Sequence, residues 1–189
     1  MYDVKPVTTK HSVACGPACL KMLLNYYGIE ADLDKLIEEC GVKVNGCTAA
    51  DLLRVGRAHR LDMGAWSMEA RDLLKQDRPA IAYWRYNHYV IFAGMDDGGD
   101  VWICNPSQGR YRIDAGTFKT LFSGVAMCAG TPKDLPETTG MYAQTDIPKG
   151  GLFIARDTVY RATEAILKGA EIRPGRNCDR TTLNEIVEG

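Results

Sequence analysis

Cys15 opens the stretch Cys-Gly-Pro-Ala-Cys-Leu-Lys-Met-Leu-Leu-Asn-Tyr-Tyr-Gly, ending at Gly28. Gly16-Pro17 permits a tight turn and then a helix start, since proline is tolerated in the first helical turn. A thiol at that place has a physical reason to be reactive. The unpaired N–H groups and the helix dipole favour thiolate, and a nearby imidazolium favours it further. The same N–H groups can help hold an oxyanion, and Gly16 leaves room for a substrate backbone beside the sulfur. Against this, a free cysteine judged by type alone is most often buried and inert. Cys19, one turn along the apolar side of the same helix, illustrates that bland reading.

The chain has three histidines, at 11, 59 and 88. His88 begins the apolar run His-Tyr-Val-Ile-Phe-Ala-Gly, where packing can fix the ring while one nitrogen faces a cleft. A histidine merely hydrogen-bonded at a strand start has about equal weight when judged alone. His59 follows a helical segment and reads as surface-exposed. His11 lies too near Cys15 along the chain for easy opposition. Asn105 closes the run Val-Trp-Ile-Cys104. Its amide oxygen could accept the second imidazole proton and hold the useful tautomer. Between these runs stands Asp96-Asp97-Gly98-Gly99, a strong hairpin signal. A turn there brings His88 and Asn105 to the open end of one hairpin.

The elements that must carry these residues follow from spacing. Leu20, Leu23, Leu24 and Tyr27 recur at helical intervals over residues 18–27, with Gly28 as C-cap. A second helix is predicted over 33–39 with Asp32 as cap, and a third over 49–60 capped by Thr48. Ser67, Ala70 and Leu73-Leu74 suggest a short fourth, ending before Asp77-Arg78-Pro79. Residues 80–85, 88–95, 100–104, 111–113 and 125–129 read as strands, with a short helix over 115–122. Helices first and an antiparallel sheet afterwards is α+β organisation. Thr131-Pro-Lys-Asp-Leu-Pro-Glu-Thr-Thr-Gly140 reads as the start of a linker, assigned to 131–149. Residues 150–189 then form a small β-rich tail, too short for a comfortable core of its own. It either packs on the first domain or assembles as an oligomer.

In the order in which they occur, several segments resemble the C39 cysteine peptidases, the double-glycine leader peptidases of bacteriocin exporters. Cys15 to Gly28 resembles the nucleophile segment, and Gly46-Cys-Thr-Ala-Ala-Asp-Leu-Leu53 the following helix. Pro79-Ala-Ile with Asn87-His88-Tyr-Val-Ile resembles the histidine strand, and Val101 to Gly109 the Asp-Pro-x-x-Gly segment. Phe118 with Ser123-Gly124 resembles the closing Phe…Trp-Ser-Gly. The resemblance implies a papain-like fold for residues 1–130. It implies Cys15 as nucleophile, His88 as base and Asn105 as orienting residue. Two departures stand out. Asn105 replaces the usual Asp. Thr9 stands six residues before Cys15, where the family places an oxyanion-hole glutamine. Thr9, or Lys10, His11 or Ser12 after a local shift, must then supply that donor, and losing one such donor typically costs about 3 kcal/mol.

The expected function is hydrolysis of a peptide bond in a peptide or protein substrate, after Gly-Gly if the family rule transfers. The alternative is a weak or inactive peptidase-like domain that grips a peptide or serves as a virion structural protein. Other acyl transfers share the same geometry and form a third class. Gly150-Gly151 offers a self-processing site, although two turn glycines before a strand explain it more simply. Residues 158–186 resemble a C-terminal module of phage virion proteins, which implies phage structural partners and a virion location after cytoplasmic expression.

Composition limits the remaining classes. A net charge of -1, from 23 basic and 24 acidic residues, gives no footprint for nucleic acid or an anionic membrane. No run of 18 apolar residues is present, so no membrane span is expected. Seven cysteines without Cys-x-x-Cys argue against a secreted disulfide framework and a zinc site, and no cofactor is expected. Cys104 and Cys128 lie in apolar runs and read as buried thiols. Asp96 and Asp97 read as solvated turn residues.

Overall fold

In the computed structural model, residues 1–11, 13–85, 87–133 and 173–174 are described. Helix α1, Cys15–Tyr26, buries Gly16, Pro17, Ala18, Cys19, Leu20, Met22, Leu23 and Leu24. A helix apolar on most of its circumference has to be a core helix, and α1 is one. Each fully buried leucine contributes about 1.5–3 kcal/mol relative to an exposed one. The helix ends at Tyr26, and Gly28 follows at φ +74°, a left-handed value that glycine adopts without penalty.

The two shorter helices begin where their caps stand. Asp32 accepts a hydrogen bond from the Lys35 N–H at the start of α2, Leu33–Glu39. Thr48 and Asp51 form a reciprocal capping box at the start of α3, Ala49–Ala58.

Met63–Ser67 forms β1, which spacing alone did not reveal. The run Met-Gly-Ala-Trp-Ser carries a glycine and no apolar alternation, so only its pairing with β6 makes it a strand. The fourth helix is correspondingly one turn, α4, Ala70–Leu73. Strands β2, Ala80–Trp84, β3, His88–Met95, β4, Asp100–Asn105, and β5, Gly109–Asp114, follow. Helix α5, Ala115–Leu121, leads into β6, Phe122–Ala129, and Arg173–Pro174 forms β7. The sheet order is β1-β6-β2-β3-β4-β5-β7, with every neighbouring pair antiparallel. The α+β papain-like arrangement is therefore present.

Alternation along the strands splits the core into two layers. Ile81, Tyr89, Ile91, Ala93, Cys104 and Met127 face the cluster built on α1–α3. Ala82, Trp84, Val90, Phe92, Ile103 and Ala126 join Phe118 and Leu121 of α5 on the opposite side. Strand β3 is buried on both faces between its ends, which explains why His-Tyr-Val-Ile-Phe-Ala-Gly is continuously apolar after the histidine.

Asp96 does more than shape its turn. Its carboxylate accepts hydrogen bonds from the Gly98 and Asp100 N–H groups, Trp102 Nε1 and Arg112. The hairpin end is thus tied to β4 and β5, which corrects the reading of Asp96 as a solvated turn residue. The linker beyond 133 and the tail apart from Arg173–Pro174, including Gly150-Gly151 and the rest of the virion-like stretch, lie outside the described residues. Arg173–Pro174 pairs with Arg112 and Tyr111 of β5.

Replacing Thr48 by Ala removes the cap and one arm of the box. Stability should fall by about 1 kcal/mol in denaturant titration, with an unchanged m-value.

Candidate active site

Cys15 is the first residue of α1, and Ala14 before it provides no side-chain cap. The polar groups of this helix start are therefore not consumed by a capping hydroxyl or carboxylate. Burial pushes the Cys15 thiol up. The hydrogen bond and charge of His88, with the N–H groups of Tyr89 and Gly16, outweigh burial and hold the thiol below its ordinary 9.0. His88 shows the mirror image. Burial lowers the imidazole, while bonding and charge from Cys15 and the bond to Asn105 raise it above its ordinary 6.5.

The β2–β3 connection delivers His88. Asn87 sits at φ +58°, a left-handed conformation that asparagine tolerates, and its Oδ1 accepts from the Tyr83 hydroxyl at 2.7 Å. His88 then pairs across the ladder with Trp84, with the two rings tilted at a centroid distance of 6.1 Å. The Asp96–Gly99 turn brings β4 back so that Ile91 faces Cys104. From that register Asn105 reaches His88 Nε2 at 2.9 Å.

The tautomer follows from the bonding. The Ser107 backbone N–H can only donate, and it meets Asn105 Oδ1 at 2.9 Å, so the oxygen end of the amide is the end facing His88. His88 Nε2 must then carry the proton, which leaves Nδ1 for Cys15. Structure thus brings Cys15, His88 and Asn105 together in one chain.

The oxyanion candidates are placed less directly. Thr9 donates its N–H to the Pro106 carbonyl at 2.9 Å, and its hydroxyl oxygen accepts from the His11 N–H at 3.1 Å. The N-terminal segment is thereby tied to the loop that carries Asn105. His11 is exposed, beside a groove lined by Val13, Ala14, Asp34, Ile37, Glu38 and Val42. Ser12 lies outside the described residues. His59, expected to be exposed, is instead half-buried and bonded to the Glu39 carboxylate at 2.7 Å. Cys19, Cys104 and Cys128 are buried, and burial pushes each thiol up. Cys178 is outside the described residues.

Three features escaped sequence reasoning. The N–H of Tyr89 helps hold the Cys15 thiol down, a backbone contribution that no side-chain pattern signals. Gln108 and Tyr111 bond Asn105, and only the downstream position of Ser-Gln-Gly hinted at the first of them. The space left by Gly16 is occupied from within the protein. A Cβ there would lie 2.7 Å from Cys47 Sγ and 3.2 Å from Leu52. Gly16 is buried, so its role is close packing of α1 on α3 rather than an opening for substrate. No helix of the described residues is long and apolar enough to cross a membrane.

The sequence profile of the Peptidase C39 family matches residues 3–134. The chain belongs to this family. Among its relatives is the lactococcin-G-processing and transport ATP-binding protein LagD of Lactococcus lactis, 29% identical over 121 residues. That match covers 60% of this chain and 17% of the relative, so this C39 chain spans only a small part of such transport proteins. An uncharacterized protein of Methanothermobacter thermautotrophicus is 27% identical over 128 residues, which cover 68% of this chain and 89% of the relative. Among solved structures, a double glycine motif protease from an AMS/PCAT transporter, in complex with the leader peptide, superposes with TM-score 0.63. It is 28% identical, with 66% of this chain and 89% of that chain covered. The peptidase domain of Streptococcus ComA, at TM-score 0.58 and 22% identity over 68% of this chain and 99% of that chain, supports the fold alone.

Two outcomes follow for the C39 site. Alkylation of Cys15 by iodoacetamide, followed by peptide mass mapping against pH, should show a midpoint below 9.0. His88→Ala removes lowering contributions while burial remains, so the midpoint moves up and the neutral-pH rate drops by about tenfold or more. An unmoved midpoint would refute the coupling. Gly16→Ala should lower the melting temperature, and Cys47→Ala should restore part of the loss by clearing the sulfur from the new methyl.

Proposed function

We propose that residues 1–130 are a cysteine peptidase domain that hydrolyses a peptide bond with Cys15 as nucleophile. The single observation that carries this reading is His88 held by Asn105 at 2.9 Å beside Cys15, whose thiol it keeps below its ordinary value. His88 Nδ1 takes the Cys15 proton, and the sulfur attacks the scissile carbonyl. The tetrahedral oxyanion is received by the Cys15 N–H and a donor from the segment 9–12. Collapse transfers the His88 proton to the leaving amine and leaves a thioester on Cys15. Water, deprotonated by His88, then hydrolyses the thioester and regenerates the thiol. Asn105 keeps the Nε2 proton in place through the cycle and stabilises the imidazolium.

Substrate choice is read as cleavage after a Gly-Gly pair. The structural relative that is a double glycine motif protease in complex with the leader peptide supports this, together with family membership. The domain division is read the same way, because β6 ends at Ala129 and the family match at residue 134. Residues 131–149 are then read as a linker and 150–189 as a tail module, one that touches the first domain where Arg173–Pro174 pairs with β5. The phage setting rests on the resemblance of that tail alone.

A second reading has one observation behind it: Thr9 stands at the usual glutamine position, and its short side chain is placed against the His11 N–H, from which its oxygen accepts. On this reading the domain binds a peptide and turns it over slowly or not at all. Incubation with a leader-type peptide ending in Gly-Gly and carrying a reporter decides between them. Release after the second glycine by the parent protein, abolished by Cys15→Ala and, if the oxyanion donor is limiting, raised more than about tenfold by Thr9→Gln with Cys15 intact, supports the peptidase. Saturable binding without release by either protein defeats it in favour of the binding domain.

A further inference from the structure

Asn105 does not hold His88 unaided. Its amide has four hydrogen-bonding positions, and all four are occupied. Oδ1 accepts from His88 Nε2 and from the Ser107 N–H, both at 2.9 Å. Nδ2 donates to Gln108 Oε1 and to the Tyr111 hydroxyl, both at 3.0 Å. Asn105 is 2% exposed, so water has little access to replace a lost partner.

The four partners differ in kind. The Ser107 N–H decides which end of the amide is oxygen, because a backbone N–H can only donate. It does not decide how far the amide plane turns about its last side-chain bond. That angle is set by the acceptors that hold the two Nδ2 hydrogens. Gln108 is a long, unbranched side chain on the β4–β5 turn and only partly buried. Tyr111 is different. It is 4% exposed and stands in the β5 ladder opposite Ile103. Its ring belongs to the same apolar cluster as Phe92, Ile113 and Phe118. The hydroxyl is therefore a fixed point at the end of a rigid ring.

We propose that Tyr111 is a positioning residue that acts through Asn105, aiming its Oδ1 at His88 Nε2 and so fixing the imidazole that serves Cys15. Removing the hydroxyl leaves a buried N–H without an acceptor. The amide then turns toward another partner, and Oδ1 leaves the line of the imidazole proton. A weaker bond at Nε2 stabilises the imidazolium less, which in turn stabilises the thiolate less. The consequence for turnover rests on the peptidase reading above, whereas the state of the thiol can be measured without it.

The test compares the parent protein, Tyr111→Phe, Asn105→Ala and the double variant. Cys15 alkylation by iodoacetamide is followed across pH, with kcat and KM on the Gly-Gly peptide. Tyr111→Phe should slow alkylation at neutral pH by about three- to tenfold, the fold-change of one net hydrogen bond, and raise the midpoint. kcat should fall by a similar factor at unchanged KM. In the Asn105→Ala background the same replacement should add less than about twofold, because its route to His88 is gone. Equal slowing in both backgrounds, or none in the first, would overturn the proposal, since mere ring packing does not depend on Asn105. Should Tyr111→Phe fail to fold, Gln108→Met removes the other Nδ2 acceptor at a more exposed position and should show a smaller effect with the same dependence on Asn105. Coupling without peptide cleavage would defeat the peptidase reading and leave this one standing. A parent Cys15 alkylated no faster than Cys47 would defeat both.

Discussion

Helix α1 is buried along most of its length, and the position of everything in the site depends on that burial. The helix packs against β3 through an apolar layer that includes Leu20, Leu23, Tyr89 and Ile91. Its first residue is Cys15, and the partner strand begins with His88. One packed interface therefore sets the distance between sulfur and imidazole. Exposed polar residues could not do this, because a solvated contact of about 1 kcal/mol gives way to thermal motion, whereas a leucine-lined interface sums many such contributions. Gly16 belongs to the same constraint. The helix start can approach α3 only because there is no side chain between it and Cys47 or Leu52.

Electrostatics at the site is a contest between desolvation and pairing. Burial raises the Cys15 thiol and lowers the His88 imidazole, and each reverses because the other is present. A carboxylate at position 105 would strengthen the imidazolium by up to about 4 kcal/mol at a separation of 4 Å and an effective dielectric of 20. It would also have to be buried as a charge, which costs several kcal/mol before any pairing. Asn105 avoids that cost and supplies only a dipole. The arrangement then depends on the amide being held in one orientation, and its four bonds provide this.

The N-terminal segment completes the frame from outside the hairpin. Tyr2 donates its N–H to the Ala93 carbonyl and Thr9 to Pro106, so residues 2–9 run from the middle of β3 to the Asn105 loop. Arg110, its guanidinium 5.0 Å from the Trp102 ring centroid, donates to the carbonyls of Val4 and Tyr2. A charged side chain partly buried over an aromatic face is well suited to pin a backbone that belongs to no strand. The residues that precede Cys15 are consequently anchored at the same loop as the residue that orients His88.

Local signals were readable in the chain because their causes lie within a few residues of each other. Asp32 and Thr48 sit beside the N–H groups they cap, Pro17 lies in the first turn of its helix, and Asp96-Asp97-Gly98-Gly99 makes its own hairpin. From these alone Cys15 had to stand at a helix start, and His88 and Asn105 at one end of a hairpin. Tertiary structure decided what depends on distant partners. Met63–Ser67 becomes a strand only against Phe122–Ala129. Asn105 presents oxygen rather than nitrogen to His88 because of the Ser107 N–H, and its amide is completed by Gln108 and Tyr111. The Cys15 thiol is depressed only once a ring from position 88 and the N–H of Tyr89 arrive beside it. Spacing along the chain determines which groups can begin a helix or turn a strand. The ionisation and orientation of a buried group depend on which atoms fill the space around it, and those atoms come from remote positions that pack only in the folded state.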